Sequence, residues 1–439
     1  MARRRGPTDI ELDIQRLDAD GLGVGIHEER EYRVRNALPG ERVKARILKR
    51  RKGLRFGDAI ETLEHVSPNR TASVCTAFPR CGGCVFHHLD YARQLEEKQT
   101  WLANALKAND VVPHAWRRPT SQGRTGYRKK ARLGVKWVGE SVLVGFRESF
   151  SNRVARLTDC PILSPDVGVL IEPLKALLTG LDAAREIPQI EVAQGDSDVA
   201  LIFRHLQPLS AKDESALADF ANRYGVRVLL QSGGPDTVRG IDDAVVPELS
   251  YAIPEFGVDM SFDPRHFTQV NAVMNRELIS TATAYLGQML GGEPRILDLF
   301  CGIGNFAIPL ARRGGRVSGF EMGEGSVSQA RKNALKNGVD ALTDFTVRDL
   351  YASDAPLPEA DAWVLDPPRS GAGPMLASWL AGGHSVQDIV YVSCGPVSFA
   401  ADAHTIVNSG FSLIEVGVYD MFPFTGHVET IGYFSRTRS

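Results

Sequence analysis

Three rhythms of apolar and polar residues follow one another along the chain. Between residues 8 and 62 they alternate in short stretches, as in Ile10-Glu11-Leu12-Asp13-Ile14 and Arg42-Val43-Lys44-Ala45-Arg46-Ile47. Gly21, Gly23, Gly25 and the pair Pro39-Gly40 interrupt them. A period of two broken by glycine and proline predicts a small β-barrel. A helix is expected from about Tyr91 to Lys107. Over 127–250, strands (Arg132 to Phe146, Ile190 to Phe203, Val226 to Gln231) are expected to mix with helices (Pro165 to Leu181, Ala211 to Tyr224), which gives an α/β or α+β middle domain. From about residue 262 the alternation becomes regular. Strands are expected at Arg295 to Phe300, Arg316 to Glu321, Asp344 to Asp349, Asp361 to Asp366 and Asp388 to Cys394, with helices between them such as Ser326 to Lys336 and Val397 to Asn408. This predicts a doubly wound parallel sheet with ligands at the carboxyl ends of its strands. The expected units are 1–64, 65–255 and 256–439.

Composition narrows the class. A chain of 439 residues, 43% apolar and 24% charged, is too long for one ordinary core and has no apolar run near the ~18 residues of a membrane span. The start, Met-Ala-Arg-Arg-Arg-Gly-Pro-Thr, has no apolar stretch behind it and is not read as a secretory signal. Six cysteines are too few for a disulfide scaffold, so a reducing cytoplasm is expected, where clustered cysteines bind metal or do chemistry. The net charge of −2 conceals two basic runs. Arg42 to Arg55 and residues 111–139 each hold eight Lys/Arg and no acid. Two such runs in the first third favour a polyanion partner, nucleic acid above all. Nothing calls for an obligate protein partner.

The candidate chemistry gathers at strand ends. In "ILDLFCGIGNFAIPLA", Gly302 and Gly304 let backbone approach a ligand, and a helix starting near Asn305 offers free N–H groups. The next strand ends in Glu321, whose carboxylate can accept from a ribose diol. The loop is not GxGxxG, so an adenosine without phosphates fits better than a dinucleotide. The pattern resembles motif I of class I methyltransferases, which bind S-adenosylmethionine. Cys394, in "YVSCGP", falls where a strand stops at Gly395-Pro396. A thiolate there can add to C6 of uracil and make C5 nucleophilic, after which a base must remove the C5 proton. Glu429, in "DMFPFTGHVET", is the candidate base. Asp366-Pro367-Pro368 is followed by Arg369 and not by the aromatic residue an amino-methyltransferase would place against its base. No second cysteine lies near Asp366, which disfavours cytosine.

Cys75, Cys81 and Cys84 supply three thiols within ten residues, with Cys160-Pro161 as a fourth. Spacing alone leaves tetrahedral zinc and an iron–sulfur cube both open.

"FDPRHFTQVNAVMN", "LDLFCGIGNF", "LDPPRSGA", "YVSCGP" and "DMFPFTGHVE" occur in the order and spacing of the RNA uracil-C5 methyltransferase family, which the chain resembles over nearly its whole length. The stretch "LDADGLGVGIHEEREYRVRNALPGERVKARI" looks like the OB-like TRAM module, and barrel plus cysteines resemble the branch that acts on 23S ribosomal RNA. The resemblance implies Cys394 as nucleophile and Glu429 as proton acceptor. It implies Gln269, Phe300, Asn305, Glu321, Asp349 and Asp366 around S-adenosylmethionine, with Phe267 near base or cofactor. For Cys75, Cys81, Cys84 and Cys160 it implies a structural [4Fe–4S] cluster. The chain departs from the family at Gly395, where Asn is usual, and at Asp349, where relatives can carry Asn. The rival readings are a transfer-RNA enzyme, a radical methylthiotransferase and a non-catalytic RNA-binding iron–sulfur protein. The Cys-x5-Cys spacing and the N-terminal barrel count against the second, and the joint presence of Cys394, Glu429, Asp366 and Glu321 against the last.

Overall fold

The period-two stretch forms a six-stranded sheet in the computed structural model, which describes residues 8–241, 244–352, 355–382 and 385–436. The basic start, residues 1–7, lies outside the described residues. Spatial order in the sheet is Thr8–Asp13, Arg42–Arg51, Leu54–Glu64, Arg30–Arg35, Gly23–His27 and Arg16–Leu17. Its ends curl together: Gln15 N donates to Val24 O at 2.8 Å, and a Cβ on Gly25 would lie 2.4 Å from Asp13 O. Only glycine permits that approach, so the sheet closes as a small barrel around Leu12, Val34, Val43 and Ala45. The same alternation turns Arg42 and Arg46 outward, where they pair with Glu11 and Asp9 on the neighbouring strand. Lys49, Arg50 and Arg51 continue the strand as exposed charges.

The middle domain is a second six-stranded sheet, ordered Val238–Gly240, Arg227–Gln231, Val199–Arg204, Gln189–Gln194, Lys130–Val138 and Ser141–Gly145. Two stretches expected as single strands are antiparallel hairpins. Gly139 turns one of them at φ 62°, and the other turns between Gln194 and Val199. The expected helix Pro165 to Leu181 is two helices, Pro165–Gly168 and Ile171–Gly180, sharing one buried face through Val167, Ile171, Leu174 and Leu178.

The third sheet has eight strands in the order Thr343–Val347, Arg316–Glu321, Arg295–Leu299, Ala362–Leu365, Asp388–Ser393, Glu429–Arg436, Phe411–Tyr419 and Ala115–Trp116. The first five are parallel, while Glu429–Arg436 runs antiparallel to both neighbours. Alternate residues feed two cores. Ile296, Val317, Val364 and Val390 face the helices Ala272–Tyr285, Ala307–Arg312 and Glu324–Lys336. Leu297, Phe320, Trp363 and Ile389 face Pro374–Ala381 and Pro396–Asn408. Leu102 and Leu106 of the helix Tyr91–Ala108 join that second core, and Ala115–Trp116 then becomes the outermost strand. Residues 91–116 thus leave the barrel, complete the last sheet and return to the middle domain. Among the described residues no helix is long and apolar enough to cross a membrane.

Candidate active site

Strand direction assembles the site. The parallel strands Arg295–Leu299, Arg316–Glu321, Ala362–Leu365 and Asp388–Ser393 all end at one edge, delivering Phe300, Glu321, Asp366 and Cys394 to it. Glu429 is the first residue of its strand, and reaches the same edge because that strand runs the other way. The antiparallel register pairs Ser393 with Thr430, so the next positions out, Cys394 and Glu429, fall opposite one another.

The edge opens into a cavity of about 510 Å³. Every residue expected at the nucleotide and uracil sites lines it: Gln269, Phe300, Asn305, Glu321, Asp349, Asp366, Cys394, Glu429 and also Phe267. Phe300 holds φ 69°, a left-handed conformation unusual for an aromatic residue, and its ring tilts against Tyr351 at 5.5 Å. Glu321 accepts from Gly302 N at 3.3 Å and Gly323 N at 2.9 Å, which turns its carboxylate toward the glycine loop. Asp349 accepts from Tyr351 N at 2.9 Å. Asn305 exchanges amide hydrogen bonds with Asn275, at 2.9 and 3.0 Å, and accepts from Tyr251 OH at 2.9 Å. Phe267 is 73% exposed at the rim. Its loop is anchored beneath by Lys130, whose Nζ donates to the carbonyls of Pro264 and His266.

Four acids at this edge hold their protons more tightly than usual. Burial, then the Glu429 charge, push the Cys394 thiol up to about 11, with Arg369 acting in the opposite sense through charge and a hydrogen bond. Burial, and next Asp366, hold Glu429 well above the ordinary carboxylate range. Asp366 is raised to about 7 by burial, against a hydrogen bond from Gln269. Asp298, fully buried behind the glycine loop, is raised to about 8 by burial, with Asp366 and Glu321 adding to it. Its Oδ2 accepts from Ala307 N at 2.9 Å while Oδ1 has no partner. A nearby cation would ionise raised carboxyls such as Asp366 and Glu429.

Sequence reasoning missed Tyr251, Tyr351 and Phe422 on the cavity wall, and the role of Arg369 beside the thiol. Tyr351 and Phe422 stand two and seven residues from Asp349 and Glu429, so proximity in the motifs was their only signal. Tyr251 arrives from the hairpin Leu249–Ile253/Val258–Phe262, and no local pattern marks it. At Gly395, a Cβ would lie 2.8 Å from Ser398 Oγ, so a larger residue there requires that hydroxyl to move.

The four clustered cysteines are also together. Cys75, Cys81, Cys84 and Cys160 line one small cavity of about 10 Å³ with Phe78, His87 and Phe146. All are free thiols, and all but Cys75 are buried. Among the described residues no three ligating side chains are arranged for a single metal ion. Tetrahedral zinc would need all four sulfurs within about 2.3 Å of one point. A cluster, in which each thiolate binds its own iron, tolerates a wider cage.

Residues 90–348 match the family model described as tRNA (Uracil-5-)-methyltransferase. A 23S rRNA (uracil(1939)-C(5))-methyltransferase RlmD of Alkalilimnicola ehrlichii is 43% identical, covering 99% of this chain and 98% of its own. The Hahella chejuensis protein of the same name is 40% identical over 99% of this chain and all of its own. Among solved structures, the tRNA (uracil-54, C5)-methyltransferase of Pyrococcus abyssi in complex with S-adenosyl-L-homocysteine superposes with a TM-score of 0.76, at 25% identity, over 97% of this chain and 99% of that one.

Proposed function

Since the chain belongs to the RNA uracil-C5 methyltransferase family, we propose that it methylates C5 of a uridine in 23S ribosomal RNA, with S-adenosylmethionine as methyl donor. The observation that carries the mechanism is the register that sets Cys394 opposite Glu429 on one cavity wall. Cys394 gives its proton to solvent, with Arg369 favouring the thiolate, and the sulfur bonds to C6 of the uracil as the C5–C6 π bond opens. Charge passes to the C4 carbonyl oxygen, and the resulting enolate makes C5 the nucleophile. The donor, when bound, supplies an electrophilic methyl group. Glu321 would hold its ribose hydroxyls, Phe300 and Asp349 its adenine, and Asn305, Asp366 and Gln269 its methionine end. Glu429 then accepts the C5 proton, the C6–S bond breaks, and the C5–C6 double bond returns.

The N-terminal barrel, read as a TRAM module, supplies an RNA-binding surface through the exposed run Lys49 to Arg51. Cys75, Cys81, Cys84 and Cys160 hold a [4Fe–4S] cluster. The fit is supported by four free thiols drawn from two segments around one cavity. Methyl transfer has no redox step, so the cluster acts as a clamp between the segment 75–84 and the middle domain.

Incubation with 5-fluorouridine-substituted 23S RNA and S-adenosylmethionine tests the reading, because fluorine cannot leave C5 as a proton does. A heat-stable RNA–protein band that disappears in Cys394→Ala is expected. The Pyrococcus structure gives transfer RNA as the competing substrate, and a band with transfer RNA alone would replace the ribosomal assignment. No band with either RNA would remove Cys394 from the reaction.

A further inference from the structure

The cysteine cavity and the catalytic loop share a wall. The residues that follow Cys84 run directly against the segment 420–428 that ends at Glu429. Val85 N and Phe86 N both donate to Phe424 O, at 2.8 and 3.0 Å. The His87 ring lies on the Phe424 ring, with centroids 4.1 Å apart and planes 21° from parallel. Phe424 itself holds φ 64°, which a bulky residue keeps only where its surroundings enforce it. On the far side, a Cβ on Gly426 would lie 2.8 Å from Ala19 O of the barrel, so the loop is pressed between two units.

His87 has an unfilled requirement. It is 2% exposed, it lines the cysteine cavity, and neither of its ring nitrogens has a hydrogen-bond partner. Buried polar atoms are rarely left so, and the groups that orient a metal site through hydrogen bonds to its ligands come from such neighbours. The four cysteines line the same cavity as this ring.

We propose that His87 is a positioning residue: by donating to sulfur at the four-cysteine site it fixes the plane on which Phe424 stacks, and so sets where Glu429 begins its strand. The inference rests on the cluster reading above and goes beyond it, since a clamp need not touch the catalytic loop. It separates the two halves of the reaction. Cys394 follows a strand paired on both sides, Ala362–Leu365 and Glu429–Arg436, and its attack on C6 has that independent support. Proton removal depends on Glu429, at the end of the loop that Phe424 shapes. Emptying the cysteine site therefore stalls the enzyme after methyl transfer, with the methylated uracil still bonded to Cys394.

The test uses ordinary uridine-containing RNA, on which wild-type enzyme turns over and leaves little adduct. Full-length His87→Phe, purified anaerobically and matched to wild type in iron content, is expected to form the adduct at the wild-type rate and to release methylated RNA about a hundredfold more slowly, the scale of a roughly 1 Å misplacement. Glu429→Gln serves as the reference for a stalled adduct. Metal-free wild type should accumulate the same adduct and show faster amide exchange over 421–428. Phe424→Leu, which removes the stacked ring but keeps the backbone bonds, repeats the test if His87→Phe does not fold. Release at the wild-type rate in an iron-loaded variant, or equal slowing of addition and release, would overturn the coupling. Absence of iron from anaerobically purified protein would overturn the cluster reading and the coupling with it.

Discussion

Lys98 and Asp420 form an ion pair closed off from water, with Nζ 2.6 Å from the carboxylate and the two side chains 0% and 1% exposed. Tyr91 OH donates to the other carboxylate oxygen at 2.6 Å, and Lys98 Nζ also reaches Phe422 O at 3.1 Å. The helix Tyr91–Ala108 therefore grips the first residues of the loop whose last neighbour is Glu429. Beside it, Tyr127 OH donates to Pro423 O at 3.2 Å.

A buried pair is costly to break from one side, because the remaining charge loses its partner without regaining water. Lys98→Met should lower unfolding free energy by about 3–5 kcal/mol. Adding Asp420→Asn removes the stranded charge, and the double variant should be more stable than Lys98→Met alone. Urea unfolding of the three proteins checks this; equal losses would mean that the two charges do not act as a unit.

The thiol at the centre of the site should be slow toward alkylating reagents in the absence of RNA. With Cys394 raised to about 11, the thiolate is scarce at neutral pH, and its reaction with iodoacetamide should rise about tenfold per pH unit through pH 7 to 10. Arg369 is the cation that opposes the shift, so Arg369→Gln should slow alkylation further at every pH in that range. Peptide mass spectrometry isolates Cys394 from the other five thiols. A rate already at its plateau at pH 8 would contradict the burial argument.

The parallel sheet was readable from sequence because its central strands, Arg295–Leu299, Ala362–Leu365 and Asp388–Ser393, are buried on both faces, so apolar runs ending near Phe300, Asp366 and Cys394 stood out. Neither the hairpin at Gly139 nor the break between Gly168 and Ile171 interrupts apolar patterning enough to be seen as a boundary. Ala115–Trp116 is too short to carry any period, and its place at the sheet edge comes from pairing with Phe411–Tyr419, at positions 300 residues later. Cys394 and Glu429 could be singled out individually from their motifs. That they oppose one another depends on the antiparallel direction of Glu429–Arg436, which alternation within one strand does not encode. Long-range contacts also hid the packing of Phe424 against residues 85–87.

Glu429→Gln keeps the shape of the side chain and removes the carboxylate proposed to accept the C5 proton. Addition to C6 and methyl transfer should proceed, while product release falls by about 10²–10⁴-fold, the usual worth of a positioned base. Denaturing gels with unmodified RNA should then show a covalent complex carrying a labelled methyl group. A complex without the methyl, or none, would place the base elsewhere.

Donor binding should release protons. Asp366 at about 7 and Asp298 at about 8 are partly neutral near pH 7, raised chiefly by burial. S-adenosylmethionine brings a sulfonium and an ammonium to the cavity, and a nearby cation favours the ionised carboxylate. The sign follows: below about pH 7 binding must first strip these protons, so affinity is weaker there, rises with pH through 7 and 8, and levels off above both values. The slope approaches about tenfold per pH unit for each proton fully released. Titration calorimetry in buffers of different ionisation enthalpy counts those protons directly. Asp298→Asn, which can still accept from Ala307 N through its amide oxygen, should remove the portion of the release centred near pH 8 and leave the portion near pH 7. A proton count of zero at pH 7 would mean that the donor changes the ionisation of neither carboxyl.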